Sequence, residues 1–318
     1  MSSEPQEEGL KRVVGIPSLA ASVINYTVGA GIYALPGLIG VELGSAAIIG
    51  YALCGLMFAT IILCYAEVGS RIKTSGGSYA YVEAAFGPYP AFVISWLFFF
   101  AYGILSDAAV LNIAADSLAR IFPVFNDNTM RVLLLLSFVS FMVVVNFINT
   151  KWGVRFVNLV AMTKIIPLVL LIVFGVSFIH FDALRIEQIP PLKSFNNAAL
   201  LLFFAFGGFE SSLSVSGEIK NPRKTVPLGV LIGGVSVFII YLLLQSLTQG
   251  VLGTQLEQFK DAPLAAIAEK IAGTTAGTLL LVAAVISCFG NVFGDGLNQP
   301  RVLFARSEEH TSELQSPY

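Results

Sequence analysis

Long apolar runs separated by short polar segments dominate the chain. A bilayer core of ~30 Å needs about 20 apolar residues per helix. Eight such runs occur, at 16–40, 45–69, 89–122, 131–148, 152–179, 195–217, 226–252 and 274–297. Two short amphipathic pieces, 78–86 and 263–271, are typical of helices at the membrane surface. The pattern predicts an all-α, polytopic membrane protein in contact with the lipid bilayer.

Composition excludes several classes of protein. The chain has 318 residues, of which 56% are hydrophobic and 12% charged, whereas soluble domains carry roughly 25% charged residues. Its net charge of -2 argues against nucleic acid as a partner. The three cysteines lack metal-site spacing, and two histidines offer no hydrolytic motif. We therefore expect no enzyme, no metal and no cofactor, and no feature of the sequence indicates an oligomeric state.

The loops differ in positive charge on the two sides of the predicted membrane. Ten Lys and Arg residues lie on the side of the N-terminus and six on the other. Because cytoplasmic loops retain positive charge, the sequence predicts a cell-membrane protein with a cytoplasmic N-terminus. The predicted division is a cytoplasmic tail at 1–15, a transmembrane domain at 16–305, and a non-native tail at 306–318, where the apolar pattern stops abruptly.

The first apolar run, SVINYTVGAGIYALPGLIG, carries the elements of a helix break. Gly29 and Gly31 relax the backbone, and Pro36 removes a hydrogen-bond donor. Broken backbone at membrane depth is tolerated only where it is buried in protein or lines a cavity, so a break here indicates a binding site. Close packing of small residues between helices is the alternative explanation of the two glycines.

The sixth run, LLFFAFGGFESSLSVSGE, contains a second predicted break. Gly207 and Gly208 lie among aromatic residues, and Glu210 follows almost at once. Transporters built from inverted repeats place interrupted helices at corresponding positions of their two halves. Runs one and six, five spans apart, fit that arrangement.

Four motifs bear a resemblance to a known family: GAGIYALPG, AEVGSRIKTSGGSYAYVEAAFGP, FFAFGGFESSLSVSGEIKNPRKTVPLG and NQPRVLFA. Over residues 17–305 the chain resembles the amino acid/polyamine/organocation (APC) permeases. The resemblance implies a LeuT-like fold of two inverted five-helix repeats within about twelve spans, which moves amino acids by alternating access. This chain has about eight of those helices. The first repeat is expected at 16–180 and a partial second repeat at 194–305, so the chain reads as C-terminally truncated.

The two predicted breaks together suit a zwitterionic substrate. Free N–H groups at the start of the second half of run one can hold a carboxylate, and free carbonyls ending the first half of run six can hold an ammonium. The family resemblance assigns substrate binding to the same segments, with Phe209 as a candidate lid. Packing or lipid contact is the alternative role of the phenylalanines. The predicted binding residues are Val28, Gly29, Ala30, Gly31, Ile32, Phe204, Ala205, Phe206, Gly207, Gly208 and Phe209.

Lys164 lies deep inside the fifth run, 12 residues from Trp152 and 15 from Ile179. At that depth its ammonium cannot easily reach either membrane face, and intramembrane charges commonly mark ion or proton paths. The segment TKIIP resembles the place where proton-coupled permeases carry a lysine. A purely structural ammonium bonded to carbonyls is the alternative.

The remaining acidic residues within the apolar runs are weaker candidates. Glu210 resembles an acidic family position that acts in gating or accepts a proton, and capping of the second half-helix is its alternative role. Asp107, Asp116 and Asp295 are equally explained by hydrogen bonding between helices or by a place near the membrane surface.

The sequence therefore predicts a secondary transporter for an amino acid, working by proton-coupled symport or by exchange. The proton is the expected coupling ion, and the apolar lining slightly favours a neutral amino acid. One alternative is a truncated permease fragment that inserts without transporting. The other is a polyamine or organocation transporter of the same fold.

Overall fold

The computed structural model describes residues 12–72, 76–148, 164–186, 188–214 and 216–315. These residues are almost entirely helical, and their one β-type contact is an isolated parallel bridge between Val14 and Ile219. The helices are α1 Ile16–Thr27, α2 Leu35–Leu43, α3 Ala47–Arg71, α4 Ser78–Phe86, α5 Pro88–Leu97, α6 Leu105–Ile121, α7 Asn128–Ile148, α8 Lys164–Phe178, α9 Leu192–Phe206, α10 Pro222–Leu252, α11 Pro263–Ala272 and α12 Thr274–Gln315. The predicted all-α class is confirmed.

Five helical stretches of the described residues are long and apolar enough to cross a membrane. They are Leu35–Arg71, Pro88–Ile121, Leu192–Leu213, Pro222–Phe259 and Thr274–Phe293. Asn128–Val144 and Lys164–Phe178 are shorter apolar segments. The difference from the eight predicted runs concerns three of them. The first run is split after Thr27, the fourth is among the shorter segments as Asn128–Val144, and part of the fifth, 152–163, lies outside the described residues.

The short helices and the end of α12 bear on the predicted boundaries. The amphipathic pieces predicted at 78–86 and 263–271 form α4 and α11. The backbone of α12 stays helical past Ala305 to Gln315, so the predicted boundary at 305 is not an element boundary. The non-native origin of residues 306–318 stays a prediction.

The chain folds into two compact units that each draw on both predicted repeats. Unit 1 comprises Met1–Val28, Ile49–Trp96 and Leu202–Leu242, and unit 2 comprises Gly29–Ile48, Leu97–Leu201 and Leu243–Tyr318. The division of the first apolar run falls at its predicted break.

In unit 1, α10 packs closely on α1. A Cβ atom added to Gly233 would lie 2.6 Å from Val23, and one added to Gly229 would lie 2.8 Å from Leu19. Glycines spaced four residues apart leave a groove on one helix face, into which the other helix fits. This packing places the end of α1 beside the middle of α10.

In unit 2, α6 and α12 share an apolar core. Val110, Leu111 and Ala114 of α6 are buried together with Cys288 and Val292 of α12. The ring of Phe138 on α7 stacks on Phe289 with 3.8 Å between centroids. Residues three and four apart lie on one helix face, so this core fixes which side chains of α6 and α12 meet.

Candidate functional site

The first helix break forms where the glycines predicted it. Helix α1 ends at Thr27, Val28 leaves the helical region at ψ 79°, and Gly29 is extended. A 3₁₀ turn, Ala30–Tyr33, then leads into α2, which has Pro36 in its first turn, where its missing N–H removes no helical bond. The N–H groups at the start of such a turn have no acceptor within their own helix.

The second break follows the end of α9 at Phe206. Gly208 has φ 103°, a left-handed conformation that glycine adopts without strain, and a 3₁₀ turn begins at Phe209. The backbone N–H of Gly208 donates to Oε2 of Glu210 at 3.0 Å. The carboxylate therefore caps the break, as the capping role considered for Glu210 requires.

Tyr241 of α10 joins the ends of the two interrupted helices within unit 1. Its hydroxyl lies 2.8 Å from the carbonyl oxygen of Thr27 and 2.9 Å from that of Ala205. The side chain is 1% exposed. One donor is thus shared between the last carbonyl of α1 and a last-turn carbonyl of α9, so two helix C-termini, each partially negative, are held close together.

Sequence reasoning missed Tyr241, although one signal was available. Tyrosines of membrane helices concentrate at the two membrane surfaces, where the hydroxyl meets water. Tyr241 instead lies inside the apolar segment VSVFIIYLLL, well away from both ends of α10. A buried hydroxyl at that depth requires a partner inside the protein.

The carbonyls predicted to be free at the end of α9 are partly occupied, which corrects that expectation. Ala205 accepts from Tyr241, and the N–H of Gly207 lies 3.1 Å from the Phe203 oxygen and 3.3 Å from the Phe204 oxygen. The last turn of a helix commonly satisfies its carbonyls in this way. The side chain of Phe204 is 37% exposed, so the part of this residue that lies at the break is its backbone carbonyl.

Aromatic rings surround the second break in unit 1. The Phe206 ring lies 5.0 Å from that of Phe58 and 5.2 Å from that of Tyr241. The Phe209 ring, 3% exposed, meets Phe58 edge-on at 5.1 Å and Tyr65 at 5.0 Å. The predicted lid residue is thus packed among aromatic neighbours in this conformation.

The residues after the first break lie in unit 2 beside the predicted lysine. Gly31 and Ile32 are buried, and the hydroxyl of Tyr33 donates to the backbone oxygen of Lys164 at 3.2 Å. The Lys164 side chain is 3% exposed, and its Nζ lies 3.5 Å from Oδ1 of Asn291 on α12. The predicted intramembrane ammonium is therefore inside the protein, among polar neighbours.

The structure places the three aspartates considered with Lys164 in two different surroundings. Asp107 of α6 and Asp295 of α12 lie near enough to interact electrostatically, and the Asp295 carboxylate also interacts with Lys164. Asp116 is instead bonded to Arg131 of α7, and both of these side chains are partly exposed. The structure thus brings Asp107 and Asp295 to the lysine and leaves Asp116 in a separate ion pair.

Comparison with known proteins agrees with this architecture. The model of a family described as amino acid permease matches residues 14–312. The serine/threonine exchanger SteT of Bacillus subtilis (strain 168) is 28% identical over 95% of this chain and 70% of its own length. The methylthioribose transporter of the same bacterium is 28% identical over 73% of this chain and 53% of its own. The large neutral amino acids transporter small subunit 2 of Oryctolagus cuniculus is 27% identical over 94% of this chain and 58% of its own.

These matches cover most of this chain but only part of the relatives, since the chain spans little more than half the length of two of them. The resemblance drawn from the four motifs is confirmed, because one family model extends over all of the residues that carry them. The chain is a multi-pass membrane protein and belongs to the amino acid permease family.

Proposed function

We propose that this chain moves amino acids across the cell membrane by alternating access, as a proton-coupled symporter or an exchanger. The observation that carries the proposal is the Tyr241 hydroxyl, which bonds to the carbonyls of Thr27 and Ala205. It supports a site made from the ends of interrupted helices, as many transporters built from inverted repeats have. Two of the relatives are named for amino acid transport, a serine/threonine exchanger and a large neutral amino acids transporter subunit.

The ammonium of the substrate is assigned to the helix ends of unit 1. The C-termini of α1 and α9 each carry a partial negative charge, and Tyr241 holds them within reach of one small group. A carbonyl oxygen has two lone pairs, so Ala205 can accept a second hydrogen bond. Val28 and Phe206 are the buried residues beside these ends, and we assign them to the same ammonium site.

The substrate carboxylate is assigned to the backbone N–H groups of Ala30, Gly31 and Ile32. These groups open a helical turn, so they have no acceptor within their own helix and lie at its positive end. Neither assignment uses a charged side chain, which suits a zwitterion because its two charges are compensated by dipoles.

Coupling and gating are assigned to Lys164 and Glu210. A lysine buried in a membrane helix is costly without a function, so we place Lys164 on the proton path. Glu210 acts in gating as the cap of the second break, where Gly208 has a left-handed conformation. The N-terminus is placed in the cytoplasm on the basis of loop charge.

A different substrate class is the second candidate. One relative is named as a methylthioribose transporter, so this family architecture accommodates a ligand that is not an amino acid. A polyamine or another organic cation is the remaining possibility of this kind. A chain that inserts but does not transport is the third.

Reconstitution into liposomes tests these possibilities together. Uptake and counterflow of a panel of labelled amino acids, a polyamine and methylthioribose are measured at two pH values. The measurements use this chain and an extended protein, in which residues 306–318 are replaced by the remaining helices expected of the family. We expect uptake of a neutral amino acid, stimulated by the same amino acid on the opposite side or by a proton gradient. Activity of the extended protein alone would support the fragment. Absence of amino acid uptake from both would overturn the proposal.

A further inference from the structure

A buried polar cluster lies in unit 2, around Lys164. Its members are Lys164 at the start of α8, Asp107 in the first turn of α6, and Asn291 and Asp295 on α12. Asp107 and Asp295, the acidic pair, are half-buried, whereas the Lys164 side chain is 3% exposed. The backbone groups assigned to the substrate are in other segments, so the proposed substrate contacts leave this cluster unused.

Helix packing accounts for the meeting of the acidic pair. On α6, Asp107 is followed three and four residues later by Val110 and Leu111, which lie in the core shared with α12. On α12, Asp295 comes three residues after Val292 of the same core. Because such spacings keep residues on one face, both aspartates point toward the partner helix. A π-helical turn, Phe98–Ile104, directly precedes α6, and turns of this type often occur at functional positions.

The closeness of the two carboxyl groups has a chemical consequence. Asp107 and Asp295 face each other across the core shared by α6 and α12, and two ionised carboxylates in such a site repel each other, so one proton on the pair is favoured. Asp295 is the member that interacts with the Lys164 ammonium, which stabilises its ionised form. The proton is then carried by Asp107.

The charges of this arrangement balance. One ammonium, one carboxylate and one protonated carboxyl sum to zero, which is the favourable state for a cluster inside a membrane. Release of the shared proton leaves the cluster with one uncompensated negative charge. An increase in the distance between α6 and α12 would weaken the repulsion between the two carboxylates and release that proton.

We propose that Asp107 and Asp295 together hold the proton that is exchanged during transport, and that Lys164 is their counter-charge. This inference rests on the proposed proton-coupled transport and assigns the proton to a residue pair. Two further titratable side chains adjoin the cluster in the described residues. They are Tyr33, whose hydroxyl donates to the Lys164 backbone, and Cys288 in the α6–α12 core. Phenols and thiols are ordinarily neutral near pH 7, so neither supplies the exchanged charge.

Infrared difference spectroscopy tests the shared proton without requiring transport. Spectra of the purified full chain at low and high pH are subtracted, and the C=O stretch of a protonated carboxylic acid is followed. We expect the band in the wild type, its loss in both Asp107→Asn and Asp295→Asn, and its return at a shifted position in Asp107→Glu. Asp116→Asn is the matched control, because Asp116 lies on the same helix but is paired with Arg131. A band unchanged in both Asn variants would overturn the inference.

Transport of the same variants tests the coupling role. For a single exchanged proton, the apparent substrate affinity of the wild type changes by up to about tenfold per pH unit. We expect Asp107→Asn and Asp295→Asn to retain counterflow while losing this pH dependence, with Asp116→Asn behaving like the wild type. Unaltered pH dependence in both Asn variants would also overturn the inference. A wild type that transports nothing would remove the proposed function instead, and the infrared band would still decide whether the pair holds a proton.

Discussion

The two helix breaks differ in how the chain satisfies the backbone they expose. At the second break, Glu210 follows the glycine pair and accepts a hydrogen bond from the N–H of Gly208. At the first break, the residues after Gly29 are Ala30, Gly31, Ile32 and Tyr33, none of which has an acidic side chain. The second break thus has a built-in anion, whereas the first exposes N–H groups at the positive end of a turn.

This difference distinguishes a structural break, which is held by its own contacts, from a break that is available to bind a ligand. The second break is packed between aromatic rings and tied through Tyr241 to the end of α1. The first break continues into a segment that bonds to Lys164, beside titratable carboxyls. An anionic ligand is therefore expected at the first break, where it would take the place that Glu210 occupies at the second.

Replacement of Lys164 by alanine has the largest expected effect. It leaves the half-buried carboxylate of Asp295 without its cation, and breaking a buried pair costs up to about 3–5 kcal/mol. We expect lower thermal stability and loss of the pH dependence of uptake, measured in liposomes with the gene extended past Ala305. Lys193→Ala, at an exposed lysine, is the control. Proton coupling that persists in Lys164→Ala would contradict a role of Lys164 on the proton path.

An acid introduced at the first break tests the comparison directly. Gly31→Asp would supply a carboxylate where the substrate carboxylate is expected, in imitation of Glu210 at the second break. Loss of about 2–3 kcal/mol of binding energy corresponds to roughly hundredfold weaker substrate binding. Gly31→Asn has nearly the same size without the charge and separates crowding from competition. Equal binding by the Asp and Asn variants, measured with labelled substrate, would mean that no anion binds there.

Local backbone chemistry explains which features the sequence could predict. The breaks follow from Gly29, Gly31 and the Gly207–Gly208 pair, whose conformational preferences act within a few residues. Phe204 and Phe206 show the limit of this reasoning. They are two residues apart on one helix, yet the first is 37% exposed and the second 1%. Helical geometry turns them to different faces, and only the packing decides which face is buried.

Contacts between distant segments could not be read from residue type. Asp107 and Asp116 lie on the same helix, but the first meets Asp295 and the second meets Arg131. Which partner each meets depends on how α6 packs against α12 and α7. The bond from Tyr241 to Thr27 spans 214 residues for the same reason. The sequence could predict the breaks, but not the groups that join them.

Removal of the Tyr241 hydroxyl tests whether this group holds the ends of α1 and α9 together. Tyr241→Phe keeps the ring but leaves the carbonyls of Thr27 and Ala205 without this donor. A stability loss of about 1–3 kcal/mol and roughly tenfold weaker substrate binding are expected. Tyr51→Phe is the matched control, because the Tyr51 hydroxyl is buried and has no hydrogen-bond partner in the described residues. Similar melting temperatures of the two variants in detergent would show that the hydroxyl does not hold the helix ends.

The smallest effect is expected for Glu210→Gln, which separates capping from coupling. The glutamine oxygen can still accept from the Gly208 N–H, so only the charge-assisted part of the bond is lost, about 0.5–1 kcal/mol. Glu210→Ala removes the acceptor as well and is expected to cost about twice as much. Because a cap does not need to titrate, uptake by Glu210→Gln should keep the pH dependence of the wild type, measured over the same pH range. If that dependence disappeared while the melting temperature stayed the same, Glu210 would be a proton acceptor, and the second break would be a coupling site in its own right.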